Sequence, residues 1–308
     1  MLEMDEIQKR LLKEVADLHK VPEGAYNIRS NSESIGRVST KNIEISPRDD
    51  GQGLIINIKA GTKNESVHIP VIMTQTGLKE VVYNDFYIGE DADVTIIAGC
   101  GIDNCGDQDS EHDGIHTFHV GKNAKVKYVE KHYGSGTGRG KRILNPETVV
   151  EMDEGSYVEM EMVQIKGVDD TNRTTNAKLS KDARFVVRER LMTHNDQRAV
   201  SGYEVTIDGQ NASADVVSRS VARDDSYQKF EAKIIGNAAC SGHSECDSII
   251  MDNGRILAVP ALEANDVDAA LVHEAAIGKI AGEQIMKLMT LGLSESEAEE
   301  QIINGFLK

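Results

Sequence analysis

Two short segments in the last third of the chain collect the residue types that bind soft and hard metals. The first is Cys240-Ser-Gly-His243-Ser-Glu-Cys246-Asp247, and the second is His273-Glu274-Ala-Ala-Ile-Gly-Lys279. Thiolates, imidazoles and carboxylates together point towards iron, zinc or sulfur rather than nucleotide or acyl chemistry. Cys240, His243 and Cys246 are evenly spaced, so one loop could present all three to a metal, with a fourth ligand from elsewhere. The competing reading is a buried thiol that only packs.

A second polar cluster holds His112, His116 and His119 with Asp109, Glu111 and Asp113, close to Cys100 and Cys105. If 114–120 is a strand, His116 and His119 face opposite sides and cannot share one metal. The cluster reads as a glycine-rich loop with solvated histidines. A metal-dependent enzyme using His112 and His116 with the cysteines is the other reading. Cys100 and Cys105 are spaced for neither a redox pair nor a zinc ribbon.

Two catalytic spellings fail. Gly134-Ser-Gly-Thr-Gly-Arg-Gly140-Lys141 lacks the glycine a P-loop needs at Ser135, and Arg142 stands where Ser or Thr is required. It reads as a flexible basic surface loop. His273-Glu274-Ala-Ala-Ile277 begins as a zinc-protease helix does, but Ile277 replaces the second histidine.

The elements that must carry these residues are mostly strands. Ile7, Leu11, Val15 and Leu18 predict an amphipathic helix over 5–19, stopped by Lys20-Val-Pro22-Glu-Gly24. From about 36 to 260, short β-branched runs alternate apolar and polar residues. A turn signature recurs before them: Gly89-Glu-Asp-Ala-Asp-Val94, Gly121-Lys-Asn-Ala-Lys-Val126, Ser180-Lys-Asp-Ala-Arg-Phe185 and Gly209-Gln-Asn-Ala-Ser-Ala214. Weaker copies start at Asp153 and Gly236. A turn-plus-strand unit every ~30 residues favours a β-solenoid over an antiparallel sandwich. Beyond Pro260 the chain reads as helical from Asn265 to Leu291. Ser294-Glu-Ser-Glu297 is a capping box that opens a last helix to about Gly305.

Bulk properties narrow the function further. The 308 residues carry a net charge of −17, which disfavours nucleic acid and anionic membrane surfaces as partners. With no Trp and five Phe, a stacking platform for single strands is not expected. No apolar run approaches transmembrane length. The acidic start Met1-Leu-Glu-Met-Asp-Glu does not read as a signal peptide, which points to the cytosol, where thiols stay reduced.

Ser244-Glu-Cys246-Asp-Ser-Ile-Ile250, Pro260-Ala-Leu-Glu263, Val272-His273-Glu274-Ala-Ala-Ile-Gly-Lys-Ile280, Glu283-Gln-Ile285, Gly292-Leu-Ser-Glu295 and Asn304-Gly-Phe306 occur in this order. Together they closely resemble the C-terminal signature of the SufB/SufD family of the SUF iron–sulfur cluster assembly machinery. A weaker resemblance, including Gly99-Cys100-Gly101, extends over roughly 35–308.

The resemblance implies a mainly β fold, a right-handed parallel β-helix. This divides the chain into a helical segment 1–35, a β-helix core 36–263 and a C-terminal helical region 264–308. It implies a scaffold rather than an enzyme, holding a transient iron–sulfur cluster for transfer to apo iron–sulfur proteins. The implied partners are a SufC-type ABC ATPase and a second copy of the chain or a paralogue. Cys246, His273 and Glu274 map onto the assembly site, converging from two subunits near a two-fold axis. Keeping all three makes the chain SufB-like, whereas a SufD-like role would be structural, with no cluster of its own. Cys100 maps onto a sulfur-accepting thiol. ATPase docking falls on Leu271, Gly278 and Lys279, in an expected helix 271–282, and on the tail to Gly305. Typical SufB chains are longer at the N-terminus.

Overall fold

The computed structural model describes residues 4–18 and 22–308. Its body is a parallel β-helix of about eight turns. Two ten-stranded sheets face each other across one core. One sheet runs through Lys63–Met73, Asp93–Asp103, Lys125–Ser135, Tyr157–Lys166, Arg184–Thr193, Ser213–Ala222, Ser241–Ile250 and Ala270–Gly278. The other runs from Gly53–Ile58 through Lys79–Ile88, Ser110–Val120, the broken pair Arg142–Leu144 and Glu147–Met152, Asp170–Leu179, Arg198–Ile207 and Tyr227–Gly236 to Arg255–Ala264. Only the first coils contain antiparallel pairs, Ala25–Ser30 with Glu33–Val38 and Ile43–Pro47 with Gly53–Ile58.

The predicted turn signature is the corner between the sheets. Asp91, Asn123, Asp182 and Asn211 have φ of 55–57°, and Gly155 takes the same place at 70°. Asn, Asp and Gly tolerate this left-handed conformation best. The following Ala92, Ala124, Ser156, Ala183 and Ala212 are buried under the next coil. Corner amides bond upward, Asp91 N–H to Lys122 O and Asn123 N–H to Glu154 O, so each turn templates the next. In-register stacking puts like on like: Phe86 and Phe118 are neighbours with centroids 4.5 Å apart and planes 7° from parallel. A second corner, built on Asn195, Asp224 and Asp252 at φ of 53–54°, is not evident from the repeat. There the Asp224 carboxylate accepts from Asn195 N–H at 2.7 Å.

The N-terminal helix is Glu6–Ala16, capped by Asp5 and Gln8. Leu11, Leu12, Val15 and Ala16 are buried, whereas Ile7, expected on the buried face, is exposed. Lys20 and Val21 of the predicted stop lie outside the described residues. β-Structure already begins at Ala25, inside the segment expected to be helical.

The helical reading of 265–291 is corrected. Residues Ala270–Gly278 are a strand paired along its length with Ser241–Ile250, and only Gly282–Met289 and Glu295–Phe306 are helical. The small residues of 275–282 mimic a helix-packing stripe, but the parallel ladder supplies the backbone partners that decide the conformation. The capping box of Ser294 and Glu297 is present. Ile303 and Leu307 then tie the last helix to Val221 on the coil.

The glycine-rich loop at 134–141 is layered rather than free. Gly138 and Gly140 donate to Asn104 O and Gly106 O of the coil below. A Cβ at Gly136 would lie 2.2 Å from Asn104 O, so glycine allows the backbones to touch.

Candidate functional site

The parallel register of the last two strands in one sheet sets Ser244 beside His273, Glu245 beside Glu274 and Cys246 beside Ala275. Side chains alternate faces along a strand. Gly242, Ser244, Cys246 and Ser248 therefore point into the coil with Leu271, His273 and Ala275. His243, Glu245 and Asp247 point outward with Glu274. Of the three expected site residues, one chain brings Cys246 and His273 to a common inner face and sends Glu274 to the other side.

Cys246 and His273 are diagonal neighbours on that inner face, roughly 7–8 Å apart at the backbone. His273 Nδ1 lies 2.7 Å from Ser244 Oγ. Its buried Nε2 has no hydrogen-bond partner. Burial first, then nearby His243, pushes the His273 pKa down, so the ring is neutral at neutral pH. The tautomer donating from Nδ1 to Ser244 leaves an Nε2 lone pair free to bind a metal ion. Cys246 is buried, with Sγ 3.6 Å from Ser248 Oγ. Burial pushes its thiol up, so a metal must displace a proton to bind it.

The trio Cys240, His243 and Cys246 does not form one loop site. Cys240 is buried in the core beside Gly236, His243 faces outward, and only Cys246 is available to the inner pair. Leu271 also faces inward, half-buried against the core. Gly278, Lys279 and Gly305 are exposed.

From Cys246 a line of buried polar side chains runs back through the coil. Ser218, its neighbour by register, donates to Glu189 at 2.6 Å. Glu189 also accepts from Ser201 at 2.6 Å and Tyr203 at 2.9 Å. Arg173 follows, paired with Glu130, which also accepts from Tyr128 at 3.0 Å. His132 sits 3.6 Å from Glu130 and 3.2 Å from Gln164. A cavity of about 10 Å³ between Gln164, Arg173 and Glu189 is close to the smallest that admits a water.

The line ends at Cys100, which His132 flanks by register. His112 approaches Cys100 from the facing sheet and places Nδ1 3.0 Å from Glu80. Burial pushes the Cys100 thiol up, but His112 and His132 overcome it and bring it down to about 7. Burial works against charge on His112 too, yet Cys100 and Glu80 raise it to about 10. Between those two values the pair is a thiolate and an imidazolium. Outside this point lies the N-terminal helix: a Cβ at Gly99 would meet Val15 O at 2.2 Å, and Leu11 and Val15 cover Gly101.

The histidine cluster is therefore not a solvated loop. His112 and His116 are buried inside the strand Ser110–Val120, and His119 faces out, stacked on Tyr87. His116 stacks with Phe86 and is held neutral by burial, its pKa lowered to about 4. Glu80, Glu130, His132, Arg173 and Glu189 were not singled out from sequence. Their only signal is polar residues at inward positions of alternating strands, as in Tyr128, Glu130 and His132.

Residues 74–306 match the family model described as SUF system FeS cluster assembly, SufBD core domain. The chain belongs to the SufBD family. It is 30% identical over 257 residues to an iron–sulfur cluster assembly SufBD family protein of Methanocaldococcus jannaschii, covering 82% of this chain and 79% of that one. A SufBD family protein of Archaeoglobus fulgidus is 31% identical over 84% of this chain and 69% of its own. The iron–sulfur cluster assembly protein SufB of Bacillus subtilis is 34% identical over a shorter stretch, 32% of this chain and 22% of its own. Membership places this SufBD chain in iron–sulfur cluster assembly. Among its described residues, no helix is long and apolar enough to cross a membrane.

Proposed function

We propose that this chain is a scaffold on which an iron–sulfur cluster is built and from which it passes to apo proteins. The observation that carries the reading is the shared inner face of Cys246 and His273, with the His273 Nε2 unpartnered, on the last coil. One thiolate with harder nitrogen and oxygen ligands holds a cluster less tightly than four thiolates, which suits a donor. The cluster is cargo rather than a resident cofactor. The chain itself is no enzyme and works in the cytosol.

The last coil supports a second copy as partner. Arg255–Ala264 and Ala270–Gly278 each end a sheet and leave an unpaired edge. Leu257, Val259, Leu262, Val272 and Ile277 are exposed on them. Such an edge is a template for pairing with another chain. A homodimer through it would bring two copies of Cys246 and His273 together and let Glu274 of each reach the junction.

The exposed helix Gly282–Met289 offers a surface for a SufC-type ABC ATPase. None of its residues is buried, and Met286, Met289 and the following Leu291 are exposed. ATP hydrolysis resides on that partner. Cys100 is read as the thiol that takes the outer sulfur of a donor's persulfide, its thiolate attacking that sulfur while the donor's S–S bond breaks and the donor cysteine leaves as thiolate; its lowered thiol pKa, against the raised one of Cys246, supports this order.

Anaerobic reconstitution with ferrous iron and sulfide tests the scaffold reading. A sulfide-to-iron charge-transfer band in wild type, lost in Cys246→Ala, is expected. No band in either protein would leave a structural, SufD-like role. An equal band in both would remove Cys246 from the site.

A further inference from the structure

His243, Glu245 and Glu274 meet on the outer face of the last two coils. One ligand atom from each lies within 4.8 Å of the other two. Atoms bound to one divalent ion at ~2.0–2.2 Å lie ~3–4 Å apart, so small carboxylate rotations close the set. Glu245 and Glu274 are direct cross-strand partners, and like charges in that position repel. Among the described residues neither carboxylate has an ion pair within 4.0 Å. A cation between them removes the repulsion.

His243 is arranged as a metal-binding histidine is. Its Nδ1 lies 2.8 Å from Asp215 Oδ1, which orients the ring and directs Nε2 elsewhere. Asp215 is itself fixed by Arg188 at 2.6 Å. His243 and Glu245 border a groove of about 430 Å³, whose lining cations are Arg188, Arg190, Arg219 and Lys308. One nitrogen and two carboxylates, with no sulfur, select a divalent ion such as ferrous iron over a soft monovalent one.

We propose that His243, Glu245 and Glu274 hold a single divalent metal ion, ferrous iron in the working protein, with Asp215 as the positioning residue. Only the choice of iron as cargo rests on the scaffold reading. Glu274 adjoins His273 in sequence, so iron held outside stands one residue from the inward pair of Cys246 and His273. The site is a loading point from which iron is passed to the assembly face.

Anaerobic titration of the full chain with cobalt(II), read by its visible absorption, tests this. The first equivalent taken up by wild type should give no sulfur-to-metal charge-transfer band. Affinity for it should fall about a hundredfold or more in His243→Ala and Glu245→Gln and about tenfold in Asp215→Asn, and stay unchanged in Glu204→Gln, an exposed carboxylate of the other sheet. These side chains face outward, and circular dichroism confirms that the variants fold. Absence of binding in wild type, or loss in Cys246→Ser with full binding in His243→Ala, overturns the site. Cobalt binding without a reconstituted cluster would sink the scaffold reading alone. A Cys246-dependent cluster with cobalt binding indifferent to His243 would sink this site alone.

Discussion

Ser244 Oγ and His273 Nδ1 lie 2.7 Å apart on neighbouring strands whose register pairs the two residues directly. The serine therefore sets the ring's orientation and decides which nitrogen is left without a partner. Ser244→Ala should leave the fold intact but loosen the imidazole. A reconstituted cluster should then lose iron to a chelator about ten- to a hundred-fold faster, as expected for loss of an orienting partner. Decay of the charge-transfer band measures this, and an unchanged rate would mean that His273 is not a ligand.

Cys100 should titrate far below an ordinary thiol. Its folded pKa is lowered from 9.0 to about 7. Its contribution to stability is therefore complete above about 9 and is lost as pH falls through about 7. His112 is raised from 6.5 to about 10, so its contribution is complete below about 6.5 and lost as pH rises through about 10. The thiolate–imidazolium pair occupies the window between about 7 and about 10. The ultraviolet thiolate difference between wild type and Cys100→Ala should show a midpoint near 7, and His112→Gln should move it upward. A midpoint unaffected by His112→Gln would separate the two groups.

Gly99 lets the N-terminal helix lie against the outer face of its strand, opposite the inward-pointing Cys100. A methyl group there meets the Val15 carbonyl at 2.2 Å, a backbone atom that cannot swing aside. Gly99→Ala should lift the helix and speed amide hydrogen exchange across Glu6–Ala16 relative to wild type, with little change in Ser241–Ile250. Mass spectrometry of the peptic peptides distinguishes them. Equal exchange of Glu6–Ala16 in both proteins would show that the helix accommodates the methyl group.

Arg173 and Glu130 are a buried ion pair, only 3% and 1% exposed. Removing the arginine strands a carboxylate in the core. Arg173→Ala should cost about 3–5 kcal/mol in urea unfolding. Adding Glu130→Gln should recover part of that loss. A cost below about 1 kcal/mol would mean that Glu130 finds water or another partner.

The corner residues give a test of the fold itself. Asn211 has a φ of 57°. Asn211→Val forces a β-branched residue into the left-handed region and should destabilise by about 1–2 kcal/mol, whereas Asn211→Gly should be nearly neutral. Chemical denaturation of the two variants measures the difference, and equal effects would argue against a strained corner.

The primary chain by itself determined the coil. Gly, Asp or Asn, then a small residue, recurring ahead of alternating strands, spells a corner that only a few residue types can make, so Asp91, Asn123, Asp182 and Asn211 announce it locally. The capping boxes were legible for the same reason, since a cap needs only neighbours in sequence. Cys246, His273 and Glu274 were legible as residue types, but the faces they occupy were not. Reading 265–291 as helix would have set adjacent His273 and Glu274 only about 100° apart around the axis. Pairing with Ser241–Ile250 makes the segment a strand and parts them. The polar line from Cys100 to Cys246 is likewise a product of stacking. Residues about one coil apart in sequence become neighbours only when register aligns them, and burial then shifts their charges in ways that no local pattern records.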